Sequence, residues 1–154
     1  MRKLELAAIL AVLLAAPALH AQESGTEGHS GHKVDLSILP QGCQNAIQQS
    51  EMPGMMQGMD MSGMEGMEEA QKASIQAMMK MNGPMMATHT IKDPDLAFHC
   101  GMIAHHSGAI AMAEVELKYG DDEASKAMAQ KIIDAQGPEI EEMTAWVEEH
   151  AAQQ

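Results

Sequence analysis

The sequence predicts an all-α protein, a three- to four-helix bundle built on a long antiparallel helical hairpin and preceded by a disordered Met- and Gly-rich segment. Two observations carry this. From Asp93-Pro94 the chain runs to Tyr119 without a proline, and from Asp121-Asp122-Glu123 it runs on to His150 with a single break at Gly137-Pro138. Along both stretches apolar residues recur at helical spacing. Helices of about 26 and 28 residues joined by so short a link fold back on each other, each roughly 40 Å long.

The chain opens with Met1-Arg2-Lys3, an apolar run from Leu6 to Ala16, and Pro17-Ala18-Leu19-His20-Ala21. A basic start, a short apolar stretch and small residues before a cleavage point read as a secretory signal peptide over 1–21, so the protein is expected in the periplasm. The run is too short to cross a bilayer, which takes about 20 apolar residues. Gln22 to Lys33 is Gly, Ser, Glu and His without apolar period and reads as a tether. A short helix is expected around Gln44 to Gln49, after Leu39-Pro40. Met52 to Met67 has glycine at 54, 58, 63 and 66 and reads as a loop. Residues 22–67 therefore form a flexible His- and Met-rich segment, and 68–152 the bundle domain.

Within that domain a first helix is expected from Glu68 to Asn82, kinked or ended by Gly83-Pro84. Asp93 is the N-cap of the middle helix with Pro94 at its first position. Gly120 suits a left-handed residue closing it. Asp121, Asp122 and Glu123 bring acid side chains to the positive end of the last helix, which Gly137-Pro138 is expected to bend.

Helical phase sorts the side chains. Leu96, His99, Ile103, His106, Ile110, Ala113 and Leu117 share one face of the middle helix, with Met102 at its edge. Phe98, His105, Ala109, Met112 and Glu116 form another. The last helix has an apolar stripe of Ala129, Ile132, Ile133, Gln136, Ile140, Met143 and Val147, bordered by Met128, Glu139 and Trp146. Gln136 stands where an apolar residue would be the easy choice.

Composition narrows the function. The 154 residues carry a formal charge of −13. Removing the leader leaves seven basic residues against 21 acidic ones, a surface that repels nucleic acid and attracts cations. Aromatic residues are reduced to Phe98, Tyr119 and Trp146, while methionine occurs 17 times, twelve of them between Met52 and Met86. Methionine fills irregular gaps in cores, but a Gly-rich loop has no core to fill.

Thioether sulfur is a soft, neutral ligand that selects Cu(I) over harder divalent ions. It needs no deprotonation, and outside the cytoplasm it cannot be lost to a disulfide. In the loop, Met55, Met59, Met61 and Met64 recur at close spacing with glycine between, so two or three sulfurs can converge on one ion. Met78, Met79, Met81, Met85 and Met86 would be carried by the first helix against the middle one. There, Met102 with His106 and His99 with Met102 have chelating spacing. His105 and His106 point about 100° apart and cannot share an ion from a regular helix.

The run Phe98-His-Cys-Gly-Met102-Ile-Ala-His105-His106-Ser-Gly-Ala-Ile-Ala-Met112-Ala, with Met128-Ala-Gln-Lys-Ile132-Ile133-Asp-Ala-Gln136-Gly-Pro-Glu139-Ile140-Glu-Glu-Met143-Thr-Ala-Trp146, resembles the domain of unknown function 305 family. The likeness covers roughly Ala73 to His150. It implies a ferritin-like helical bundle and, from periplasmic copper-binding members, Cu(I) and Cu(II) binding by Met and His. Carried over by position, the implied ligands are Met102, His105, His106, Met112 and Met143, with Met81, Met85 and Met86 from the first helix. Ala104 stands where the family commonly has proline, which implies a straighter middle helix.

Cys43 and Cys100 are the only cysteines. An even count in a secreted chain favours a disulfide, with a pair of thiolate copper ligands as the alternative. The leading functional expectation is copper sequestration or transfer without catalysis, with a periplasmic copper exporter or a cuproprotein as delivery partner. The second is a structural or protein-interaction bundle gripping apolar partners with Met-rich surfaces. A di-iron enzyme would need Glu-x-x-His pairs on facing helices. None is present, nor is His-Glu-x-x-His, a Gly-x-Ser-x-Gly elbow or a phosphate loop.

Overall fold

The computed structural model describes residues 34–49 and 64–151. They form four helices, α1 (Gln41–Gln48), α2 (Glu69–Thr88), α3 (Pro94–Tyr119) and α4 (Glu123–Ala151), and no strand occurs among them. The expected leader, the tether to Lys33 and the loop methionines Met55, Met59 and Met61 lie outside the described residues. Among those described, no helix is long and apolar enough to cross a membrane.

Helix starts follow their capping chemistry. Asp93 Oδ1 accepts the Leu96 N–H at 2.7 Å, with Pro94 opening α3. Asp122 Oδ2 accepts the Ser125 N–H at 2.7 Å at the start of α4, and the bond holds the Asp122 carboxyl below its ordinary pKa. The Glu68 N–H donates to Gln71 Oε1 at 3.0 Å, half of a capping box before α2.

Two boundaries and one cap conformation differ from the sequence expectation. The short helix begins at Gln41, because Pro40, extended at φ −63° and ψ 159°, forms its N-cap. α2 runs past the expected end at Asn82 to Thr88 with Pro84 inside it, while α4 runs through Pro138 to Ala151, close to the expected end. In both helices glycine precedes the proline, so the clash of the proline ring with a preceding Cβ, which normally drives that residue out of the helical region, is absent. Gly120 is extended, at φ −71° and ψ 152°, rather than left-handed. Glycine serves there by close approach, since a Cβ would collide with the side chain and carbonyl of Glu116.

α3 is the central helix. α2 and α4 pack antiparallel on two of its sides and barely meet each other, while α1 lies across the end where α3 begins and α4 finishes. Two contacts set the α2–α3 register. The Met81 side chain lies where a Cβ on Gly108 would be, only 2.5 Å away, and Thr88 Oγ1 lies 3.4 Å from that point on Gly101. These pairs are seven residues apart on each helix. Glycine at 108 is what permits the close crossing.

The core is concentrated at the α1 end. Leu39, Cys43, Ile47, Ala87, Ile91, Leu96, Cys100, Ile103, Ala104 and Val147 form one buried cluster, with Met85, Ile140, Met143 and Trp146 packed against it. Leu96, Ile103 and Val147 are fully buried, each worth about 1.5–3 kcal/mol relative to exposure. The opposite end is lined by smaller buried residues, Ala77, Ala113 and Ala129. The disulfide expected between Cys43 and Cys100 is formed, with Sγ–Sγ 2.04 Å, and it pins α1 to α3 across a separation of 57 residues. A loop of that size is worth about 4 kcal/mol in chain-entropy terms.

Candidate functional site

The seam between α3 and α4 carries the polar groups that the core does not explain. His106 is buried, 8% exposed. Its Nε2 lies 2.7 Å from Glu139 Oε2 on α4. A carboxylate only accepts, so Nε2 carries the hydrogen and, in the neutral ring, Nδ1 carries the lone pair. That Nδ1 is buried and has no hydrogen-bond partner among the described residues. Gln136, one turn before Glu139, has its Oε1 buried and unpartnered in the same way. Each such atom ordinarily costs about 1–3 kcal/mol. Two of them one turn apart on a seam mark a place where the protein forgoes stability.

Seven residues before His106 and seven after Glu139, the seam is closed by stacked rings. His99 lies against Trp146 with ring centroids 3.7 Å apart and planes 4° from parallel. On the other indole face lies His150, at 4.0 Å and 8°. His99 Nδ1 is 2.8 Å from the Asp95 carbonyl, and His150 Nδ1 is 2.8 Å from the Trp146 carbonyl. Carbonyls accept, so each Nδ1 bears the hydrogen and each neutral ring keeps its lone pair on Nε2.

Between these two levels the register places Met102, four residues before His106, and Met143, four residues after Glu139. Both are half-buried, and Met143 packs against the main core. Side chains on a helix lean toward its N-terminus, which tilts Met143 toward the Glu139–His106 level and Met102 toward the His99 level. The site therefore offers one imposed nitrogen donor with thioethers one turn away on both helices.

The other expected ligands stand apart from this seam. Met81 meets α3 at Gly108, on its α2 side, and Met85 packs on the main cluster. Positions 106 and 108 are about 200° apart around the helix. Met86 and Met112 are exposed, as is Met78. His105 is exposed too, its ring 5.9 Å from His106 and turned by 63°. Met64 is half-buried in the turn before α2, where its carbonyl accepts the Met67 N–H.

Among the described residues no three His, Cys, Asp or Glu side chains gather into a metal-holding group. A metal on the seam would thus need thioether ligands beside His106. The disulfide removes Cys43 and Cys100 from the list of donors. Glu139, Gln136 and His150 were not singled out as site residues from sequence. Gln136 had a visible signal, a polar side chain in the middle of an apolar stripe. His150 had none, because its partner Trp146 and the stack with His99 depend on the interhelical register.

The chain matches the family described as Domain of unknown function (DUF305) over residues 18–147. No curated protein matches it.

Proposed function

The chain belongs to the DUF305 family, and from that premise we propose that it binds copper in the periplasm and sequesters or transfers it without catalysis. The carrying observation is His106. Glu139 fixes its tautomer from outside, and the lone pair on Nδ1 is buried with no partner among the described residues. Carboxylate-backed imidazoles of this kind are the usual form of a protein metal ligand, the outer oxygen orienting the ring and raising its basicity. One nitrogen with the neutral sulfurs of Met102 and Met143 is a soft donor set suited to Cu(I). His106 with the Gln136 oxygen supplies borderline and hard donors for Cu(II). The Met-rich segment that includes Met55, Met59, Met61 and Met64 would add capacity in this reading.

X-ray absorption at the copper edge of protein loaded with one equivalent of Cu(I) tests the proposal. The expected first shell holds both nitrogen and sulfur, and His106→Phe removes the nitrogen. A shell of sulfur alone, unchanged in His106→Phe, would contradict it.

A second reading rests on a different observation. Phe98 is 60% exposed and Met128 59%, and Met86, Met78 and Met112 are exposed with them. A helical bundle that presents these to a partner would need no metal. Copper-independent capture of one partner, abolished by Phe98→Ser, would favour that reading.

A further inference from the structure

We propose that His99 and His150, stacked on the two faces of Trp146, are single-nitrogen docking points for copper that load and unload the His106 site. The inference rests on the copper reading above and adds the path by which the ion arrives.

His99, Trp146 and His150 are all half-buried, more exposed than His106. Each imidazole is held twice, by the indole face and by a main-chain carbonyl at 2.8 Å. Both bonds use Nδ1, so both rings keep Nε2 as the metal-binding nitrogen. Simple surface histidines are not oriented in this way. The backbone carbonyl here has the tautomer-fixing role that Glu139 has for His106.

Stacking separates the two rings by the thickness of an indole, with centroid spacings of 3.7 and 4.0 Å on its two sides. They therefore act as single ligands and cannot together form a closed shell about one ion. An ion held by one nitrogen is held briefly, which suits transfer and not storage. From His99 to His106 the distance along α3 is about 10 Å, and the thioethers of Met102 and Met143 stand between. Ligands are thus spaced a turn apart, and the ion can gain the next before it leaves the last.

Trp146 is the only tryptophan, so its fluorescence reports this end alone. The test is stopped-flow loading of the protein with Cu(I) from a weak chelator. It compares wild type, His106→Phe, and the pair His99→Phe with His150→Phe, which keeps aromatic stacking. Helicity by circular dichroism confirms that each variant folds. The wild type is expected to show a fast quench followed by a slower phase. His106→Phe should keep the fast phase and lose the slow one. The double variant should load, and should give up its copper to excess chelator, at least tenfold more slowly than wild type. Loading of the double variant at the wild-type rate would overturn the port and leave the His106 site standing. Absence of Cu(I) binding by the wild type would overturn both.

Discussion

His106 and Glu139 bridge the two long helices through a 2.7 Å hydrogen bond, and the bond turns inward an imidazole nitrogen that is buried and has no partner among the described residues. Glu139 is itself half exposed, so its interaction with His106 is a matter of orientation more than of buried charge. Glu139→Ala is expected to leave the bundle folded and to weaken Cu(I) binding by about 10–100-fold, the usual effect of removing an outer-shell carboxylate. Competition with a chelator of known affinity measures it.

The crossing of α2 and α3 gives a pair of opposite expectations. A Cβ at Gly108 would lie 2.5 Å from both Cβ and Sδ of Met81, whereas one at Gly101 would meet only Thr88 Oγ1 at 3.4 Å. Because the Cβ of Met81 is itself in the way, rotating that side chain brings no relief. Gly108→Ala should destabilise by about 1–3 kcal/mol. Gly101→Ala should be neutral or gain up to about 1 kcal/mol from helix propensity. Urea unfolding of both variants checks the contrast.

The two internal prolines should also behave differently. Pro138 is exposed and Pro84 is fully buried. Pro138→Ala returns an N–H to the helix ladder without disturbing packing, and a gain of up to about 3 kcal/mol is expected. Pro84→Ala makes the same backbone gain but loses buried ring contacts, so its net effect should be much smaller. Thermal unfolding distinguishes them.

These prolines show where the sequence was legible and where it was not. The hairpin of α3 and α4 could be read because Asp93-Pro94 and Asp121-Asp122-Glu123 are strong start signals and neither helix contains a competing turn. At the Gly-Pro pairs the sequence left a kink or an end open for Gly83-Pro84 and implied a bend at Gly137-Pro138; both helices continue, since the glycine before each proline has no Cβ to clash with its ring. Of the site, His106, Met102 and Met143 could be placed on facing stripes by helical phase alone. Their sorting from Met81, Met85 and Met86 could not, because phase within one helix does not say which neighbour each face meets. The partnership of His106 with Glu139, and the stack of His99, Trp146 and His150, need the interhelical register, which only packing sets.

Asp122 gives a pH-dependent expectation. Its bond to the Ser125 N–H favours the ionised carboxyl and holds the folded-state pKa below the ordinary value of 3.8. Its stabilising contribution is therefore complete above that value and is lost as the pH falls through the folded-state pKa. Asp122→Ala should lower the Tm at pH 7 and make little difference at pH 2. Melting curves at the two pH values, read by circular dichroism, test the sign.

The copper reading itself is tested most directly by anaerobic Cu(I) titration of the protein from residue 22 on against a competing chelator, with Zn(II) in parallel. The account predicts tight Cu(I) binding, much weaker Zn(II) binding, and loss of the tightest site in the Met102→Leu/His106→Phe variant. Cu(I) binding no tighter than that of an unstructured methionine peptide, or unchanged in that variant, would contradict it.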